Sequence, residues 1–206
     1  VLGGTSGAYS GGHDANFWHS IPGLLVDNKE IFLGPKLSSG LEVSRRIYIP
    51  DNYGYARYIE VFHNPGPAPQ DVTVSVRTML GSRSNTRVVD TSDGDTLFST
   101  SDNWIVTDDA RNTARPAVVH VIGNENGIFR PTAVSASSGS SYVTYTFDFS
   151  LEPGQTKSIM HFGSQNTDSV TAIAKAEQLV NFELNQFHGM TTNEIQQVQN
   201  FSIPYL

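Results

Sequence analysis

The chain has no cysteine in its 206 residues, which excludes a disulfide framework, thiol catalysis and thiolate-bound zinc together. It is also poor in basic residues, with thirteen Lys and Arg against twenty Asp and Glu and a net charge of −7. Binding a phosphate backbone needs clustered cations, so nucleic acid is a poorly matched partner and cations are better matched. No apolar run approaches the roughly 18 residues of a membrane-spanning helix. The opening VLGGTSGAYSGG has neither the basic start nor the apolar centre of a signal peptide. These absences lead us to expect a piece of a longer secreted or cell-surface chain that does not itself insert into a membrane. A secreted domain without disulfides needs another brace, and bound Ca²⁺ is one solution.

The chain is 38% hydrophobic and 10% aromatic, which is enough to build a core. We expect one domain over 1–206. Residues 1–28, with scattered Gly and no period, read as a loop-rich lead-in. A sandwich over 29–165 follows. LEVSRRIYIP places Leu41, Val43, Arg45, Ile47 and Ile49 on one face, and YARYIEVFH and DVTVSVRTML repeat the β-rich pattern across the turn NPGPAPQ. That order predicts an antiparallel meander. AVVHVI and SYVTYTFDFS add strands, and Pro153-Gly154 supplies the centre of a type II turn leading into TKSIMHF, read as a hairpin. Over 166–206 the period changes: a helix is predicted about Asp168 to Leu184, and a second from Thr192 behind a Thr191/Glu194 capping box. The fold class expected is mostly β, an antiparallel β-sandwich with one or two short C-terminal helices.

Half of the twelve aspartates fall in twenty residues: Asp90, Asp93, Asp95, Asp102, Asp108 and Asp109, with no Lys or Arg between them. Calcium takes six to eight oxygen ligands, so these six are the candidate metal ligands, although their spacing is not that of an EF-hand loop. The competing account is a turn-rich surface loop in which Asp accepts local backbone hydrogen bonds. Asp102, Asn103 and Trp104 are the candidate ligand-binding residues, Trp104 offering a flat contact surface, although a Trp that starts a strand is more often core. Phe17-Trp18 and His13-Asp14 carry the same ambiguity, and there packing is favoured. The six histidines show no zinc spacing. No nucleophile elbow frames a Ser-His-Asp triad. Glu42, Glu60, Glu125 and Glu152 could supply a glycosidase pair only if the fold brought two together. Arg45, Arg46 and Arg57 read as sheet supports.

The runs SRRIYIP, YARYIEVFHNPGPAPQDVTVSV, TSDGDT, DNWIVTDD and LEPGQTKSIMHFGSQ, between about Ser39 and Gln165, together resemble a β-sandwich ligand-binding module, of the peptide-binding type, of the large RTX-type bacterial surface adhesins. The resemblance implies a non-catalytic, Ca²⁺-dependent module that binds a peptide, protein or glycan on a cell surface. Two alternatives stand beside it: a spacer stiffened by Ca²⁺, and a carbohydrate-active enzyme or its accessory domain.

Overall fold

The computed structural model describes residues 23–111 and 115–203. Its strands are β1 (Gly23–Leu25), β2 (Glu30–Ser38), β3 (Leu41–Tyr48), β4 (Tyr55–His63), β5 (Gln70–Met79), β6 (Thr86–Thr91), β7 (Trp104–Asp109), β8 (Ala117–Val121), β9 (Ala133–Ser135), β10 (Tyr142–Leu151) and β11 (Thr156–Asn166). Two helices follow, α1 (Ser169–Val180) and α2 (Thr192–Gln197). The chain is mostly β, as its alternating runs predict, and its strands form two antiparallel sheets. The larger has the order β1-β2-β3-β4-β11-β8-β7-β6 and the smaller β5-β10-β9.

The sheets stack face to face. Along β10, Val143, Tyr145, Phe147, Phe149 and Leu151 are buried while the residues between them are wetter, the period of 2 expected of a half-covered strand. They meet Leu41, Val43, Phe62, Ile105 and Ile159 of the large sheet in one core. The opposite face of the large sheet is buried too. Met160, Phe162, Val106 and Val119 point to α1, whose Ala172, Ala176 and Leu179 complete a second core. The central strands therefore lie in the middle of three layers, which is why β11 is apolar on both faces.

Two sequence expectations change here. The turn at Pro153-Gly154 forms, with Gly154 at φ +74° and the Gln155 amide donating to the Glu152 carbonyl. Yet β10 and β11, which it joins, lie in different sheets. The turn is an arch between layers, and no hairpin forms. NPGPAPQ likewise carries the chain from β4 in the large sheet to β5 in the small one, so the antiparallel meander runs through β1-β2-β3-β4 and ends there. Alternation reports which face is buried and is silent on which sheet a strand joins. Asn64, fully buried, ties the two arches together: its side-chain amide donates to the Ala68 and Leu151 carbonyls, and its backbone exchanges hydrogen bonds with Gly154 and Gln155.

The lead-in is shorter than expected, since Gly23–Leu25 already pair with β2; its first 22 residues lie outside the described ones. In the tail the capping box of α2 is present as predicted. α1 stops at Val180, four residues before the predicted end, because Phe182 turns into a left-handed conformation (φ +58°) that seats its ring against Phe187 and Phe201.

Candidate functional site

Strand alternation places Arg45 of β3, Tyr58 and Glu60 of β4, His120 of β8 and His161 of β11 on the inner face of the large sheet. Register then makes them neighbours: Arg45 pairs with Glu60, Tyr58 with His161, and His120 with Gly163. Gly163 also pairs with Ala56, so between the two histidine-bearing strands the floor has little side-chain bulk. The result is a cleft of about 1080 Å³ at the end of the sandwich where β4 and β8 begin and β5 ends.

Its floor is a hydrogen-bonded chain. Arg45 Nε donates to both Glu60 oxygens at 2.7 and 3.0 Å, His161 Nε2 lies 3.2 Å from Glu60 Oε1, and Tyr145 Oη lies 2.8 Å from His161 Nδ1. Burial opposes ionisation of Glu60, but the charge of Arg45 and the hydrogen bond from His161 outweigh it and hold the carboxyl below its ordinary range. His161 is itself kept neutral by burial, against the pull of Glu60. A neutral ring bonded at both nitrogens has one tautomer here: Nε2–H donates to Glu60 and Nδ1 accepts from the Tyr145 hydroxyl. Tyr58 stacks on His161, with ring centroids 4.9 Å apart.

His120 is different. It is 4% exposed, lines the cleft, and its Nδ1 has no hydrogen-bond partner. Burial, with a smaller contribution from His161, lowers its pKa from the ordinary 6.5 to about 4, so the ring is neutral at physiological pH. Tyr142, the first residue of β10, stands at the same end with its side chain on the solvent face of the small sheet, and two apolar side chains there are exposed, Ile49 at 56% and Met79 at 62%. Among the described residues no Asp or Glu lines the cleft. Glu60, one of the four glutamates singled out by sequence, sits beneath it with both oxygens engaged. Glu42, Glu125 and Glu152 are exposed and stand elsewhere, so no carboxylate pair forms.

The aspartate-rich stretch does not gather into one place. Asp102 precedes β7, Asp90 pairs with Val106 at its middle, and Asp108 and Asp109 stand at its far end, in a strand that spans about 17 Å. Each carboxylate meets nearby donors. Asp90 accepts from the Thr91 amide, the one Thr91 hydroxyl proton lies within reach of both Asp93 and Asp95, and Asp95 also accepts from the Leu97 amide. Asp102, 1% exposed, accepts from the Ser92 hydroxyl and from the Ser99 amide and hydroxyl. Asp108 faces Arg87, and Asp109 accepts from the Arg111 amide. Among the described residues no three Asp, Glu or His side chains stand where one ion would join them. An ion at Asp93 and Asp95 would compete with these donors. Metal-free protein is therefore expected to melt at the same temperature in saturating calcium and in chelator. A calcium-linked rise that Asp93→Ala abolishes would place an ion in the turn.

Asn103 is half-buried and accepts from Arg130 at 2.7 Å. Trp104 is 6% exposed, in the core beneath the helices, so the flat surface expected of it faces inward. Phe17, Trp18, His13 and Asp14 lie outside the described residues. The sequence reading weighed His120 and His161 only as zinc ligands and assigned no function to Tyr58 or Tyr145. The signal for the first two was a histidine at an inward position of an otherwise apolar strand.

No family profile and no curated protein matches the sequence. The fold is similar to part of a TPR-domain-containing protein from Parabacteroides distasonis, at 11% identity and a TM-score of 0.52, covering 70% of this chain and 34% of that one. Looser likenesses include an enzyme described as a putative kojibiose phosphorylase from the human microbiome (11% identity, TM-score 0.44, covering 82% of this chain and 22% of that one). Another is the α-galactosidase of Lactobacillus brevis (10% identity, TM-score 0.46, 76% and 25%). The chain spans about a third or less of the length of these three structures.

Proposed function

We propose that the cleft between the sheets binds a saccharide and that the domain is a non-catalytic glycan-binding module of a larger secreted or cell-surface protein. The observation that carries this reading is His120, a buried, neutral imidazole whose Nδ1 has no partner in a cleft lined by Tyr58. An unpaired buried polar atom costs about 1–3 kcal/mol, a cost that a ligand hydroxyl would remove. Sugar rings alternate apolar C–H faces with hydroxyls, which suits aromatic walls combined with a few fixed polar groups. A binding role in preference to glycoside hydrolysis is supported by the floor. Hydrolysis by the usual route needs two carboxyl groups about 5–9.5 Å apart facing the substrate, and Glu60 is committed to Arg45 and His161.

Calorimetric titration against a panel of oligosaccharides tests this. Wild type is expected to bind at least one class without cleaving it, and Tyr58→Ala, compared as folded protein, to weaken that binding about tenfold. His120→Gln should weaken it further. A blank panel, or binding indifferent to both substitutions, would remove the reading, and release of shorter products would replace it with an enzymatic one.

A further inference from the structure

Gly163 has none of the usual structural reasons to be glycine. Its φ is not positive, so the backbone does not call for a residue without Cβ. Its ladders are continuous, pairing it with Ala56 on one side and His120 on the other without a bulge. No other backbone presses on it: a Cβ placed there would stand 3.7 Å from Tyr58 Cε2, an ordinary contact, and among the described residues nothing is nearer. Glycine inside a strand packs nothing and loses more entropy on folding than any other residue, so it weakens β11. The remaining reason for it is the close approach of a ligand. Phe162 and Ser164 on either side are buried, whereas Gly163 is half-buried and belongs to the lining of the cleft. Ala56 adds one carbon beside it. A strip of nearly bare strand therefore runs from Ala56 to His120, bounded toward the core by the stacked rings of Tyr58 and His161.

The groups facing this strip carry no net charge. Arg45 is ion-paired with Glu60 at 2.6 Å, burial keeps His120 and His161 neutral, and among the described lining residues there is no carboxylate. Arg77 and Tyr142 share the solvent face of the small sheet, opposite to Val72, Val74 and Val76, and point away from the strip.

We infer that the cleft takes an uncharged saccharide and that Gly163 selects what fits, the edge of one sugar ring resting on the bare strand between Ala56 and His120. This rests on the glycan-binding reading of the cleft and names its ligand class and the residue that discriminates within it. A side chain at 163 would occupy the space that the ring edge needs, so stability is given up where the ligand has to come close. An ionised sugar would leave water for a site with no opposite charge facing it, and burying an unpaired charge costs far more than burying a hydroxyl that finds a partner. A neutral ring needs only that partner, and the neutral imidazole of His120 can donate or accept.

The test pairs two variants with a panel of oligosaccharides. Gly163→Ala and Gly163→Val should melt at the wild-type temperature or up to about 4 °C above it. Binding of the best neutral oligosaccharide should nevertheless fall about tenfold for alanine and below detection for valine. In wild type, oligomers of glucuronic acid are compared with their methyl esters, and oligomers of glucosamine with their N-acetyl forms. In each pair that binds, the uncharged member should bind about tenfold or more tightly, with an affinity that salt does not change. Undiminished binding by Gly163→Val, or a melting temperature lowered by Gly163→Ala, overturns the role of Gly163. A charged member bound as tightly as its uncharged counterpart overturns the ligand class. Both results leave the saccharide reading in place, whereas no binding to any neutral or charged oligosaccharide overturns that reading as well.

Discussion

Replacing Glu30 by alanine is expected to cost about 3–5 kcal/mol of folding stability, the range found when one partner of a buried ion pair is removed. Glu30 is fully buried between β2 and the C-terminal segment, one oxygen on Arg46 at 2.5–2.6 Å and the other on Arg57 at 2.7 Å. Arg57 is also fully buried; it donates to the Gln186 and His188 carbonyls at 2.7 and 3.0 Å and lies over the Tyr48 ring. Arg46 completes the knot with an ion pair to Glu194 of α2. Without Glu30 the Arg57 guanidinium keeps its burial and loses its counter-ion, and because arginine does not deprotonate at accessible pH it cannot escape by neutralising. Domains have about 5–15 kcal/mol in total, so the loss is a large fraction. Urea denaturation measures it, and limited proteolysis should show cleavage near 184–194 before the rest of the chain opens. The double replacement Glu30→Leu with Arg57→Met should recover most of the loss, since an apolar pair of similar volume removes the stranded charge. A loss under about 1 kcal/mol for Glu30→Ala would mean that the network contributes position and little energy.

Arg57 also shows where sequence reading stops. As a sheet support it was legible, but its partners lie 27 and about 130 residues away, and only register and the return of the tail across the sheet bring them together. The floor of the cleft is the same case: Glu60 and His161 are separated by 101 residues. Features set by local periodicity read well, such as the alternation of β10, the Gly154 turn and the capping box of Thr191 and Glu194. Features set by which sheet a strand joins did not. The aspartate stretch is the reverse case: its carboxylates are close in sequence, and β7 separates Asp102 from Asp108 and Asp109, an arrangement that a count of carboxylates does not reveal. The runs that carry the resemblance to adhesin modules fall largely on β3, β4, β5, β7 and β11. They therefore describe the alternation any such sandwich needs and say little about a ligand.

Lowering the pH from 7 to 4 should remove about 3 kcal/mol of stability through His120 alone, since its pKa falls from 6.5 unfolded to about 4 folded and each pH unit of difference is worth about 1.4 kcal/mol. Burial favours the neutral ring, so between these two values the unfolded chain binds a proton that the folded chain refuses. Stability is then full above pH 6.5 and falls steadily toward pH 4. With 4% exposure there is little solvent to soften the effect. His161, also lowered by burial, adds to the same trend. Glu60 acts in the same direction but starts later: its folded pKa lies below 4.5, so its contribution is present above 4.5 and fades beneath it. The windows separate the groups. Between pH 6.5 and 5 the slope belongs to the histidines, and His120→Phe, which fills the site without a titrating group, should lose the His120 share of it. Urea midpoints at pH 7, 6 and 5 for both proteins make the comparison. Equal slopes would show that His120 protonates in the folded state as readily as in water, which would require a partner for Nδ1 in solution. A saccharide bound to that nitrogen would have the opposite effect on the midpoints, steepening the wild-type slope by tying the neutral ring more firmly to the folded state.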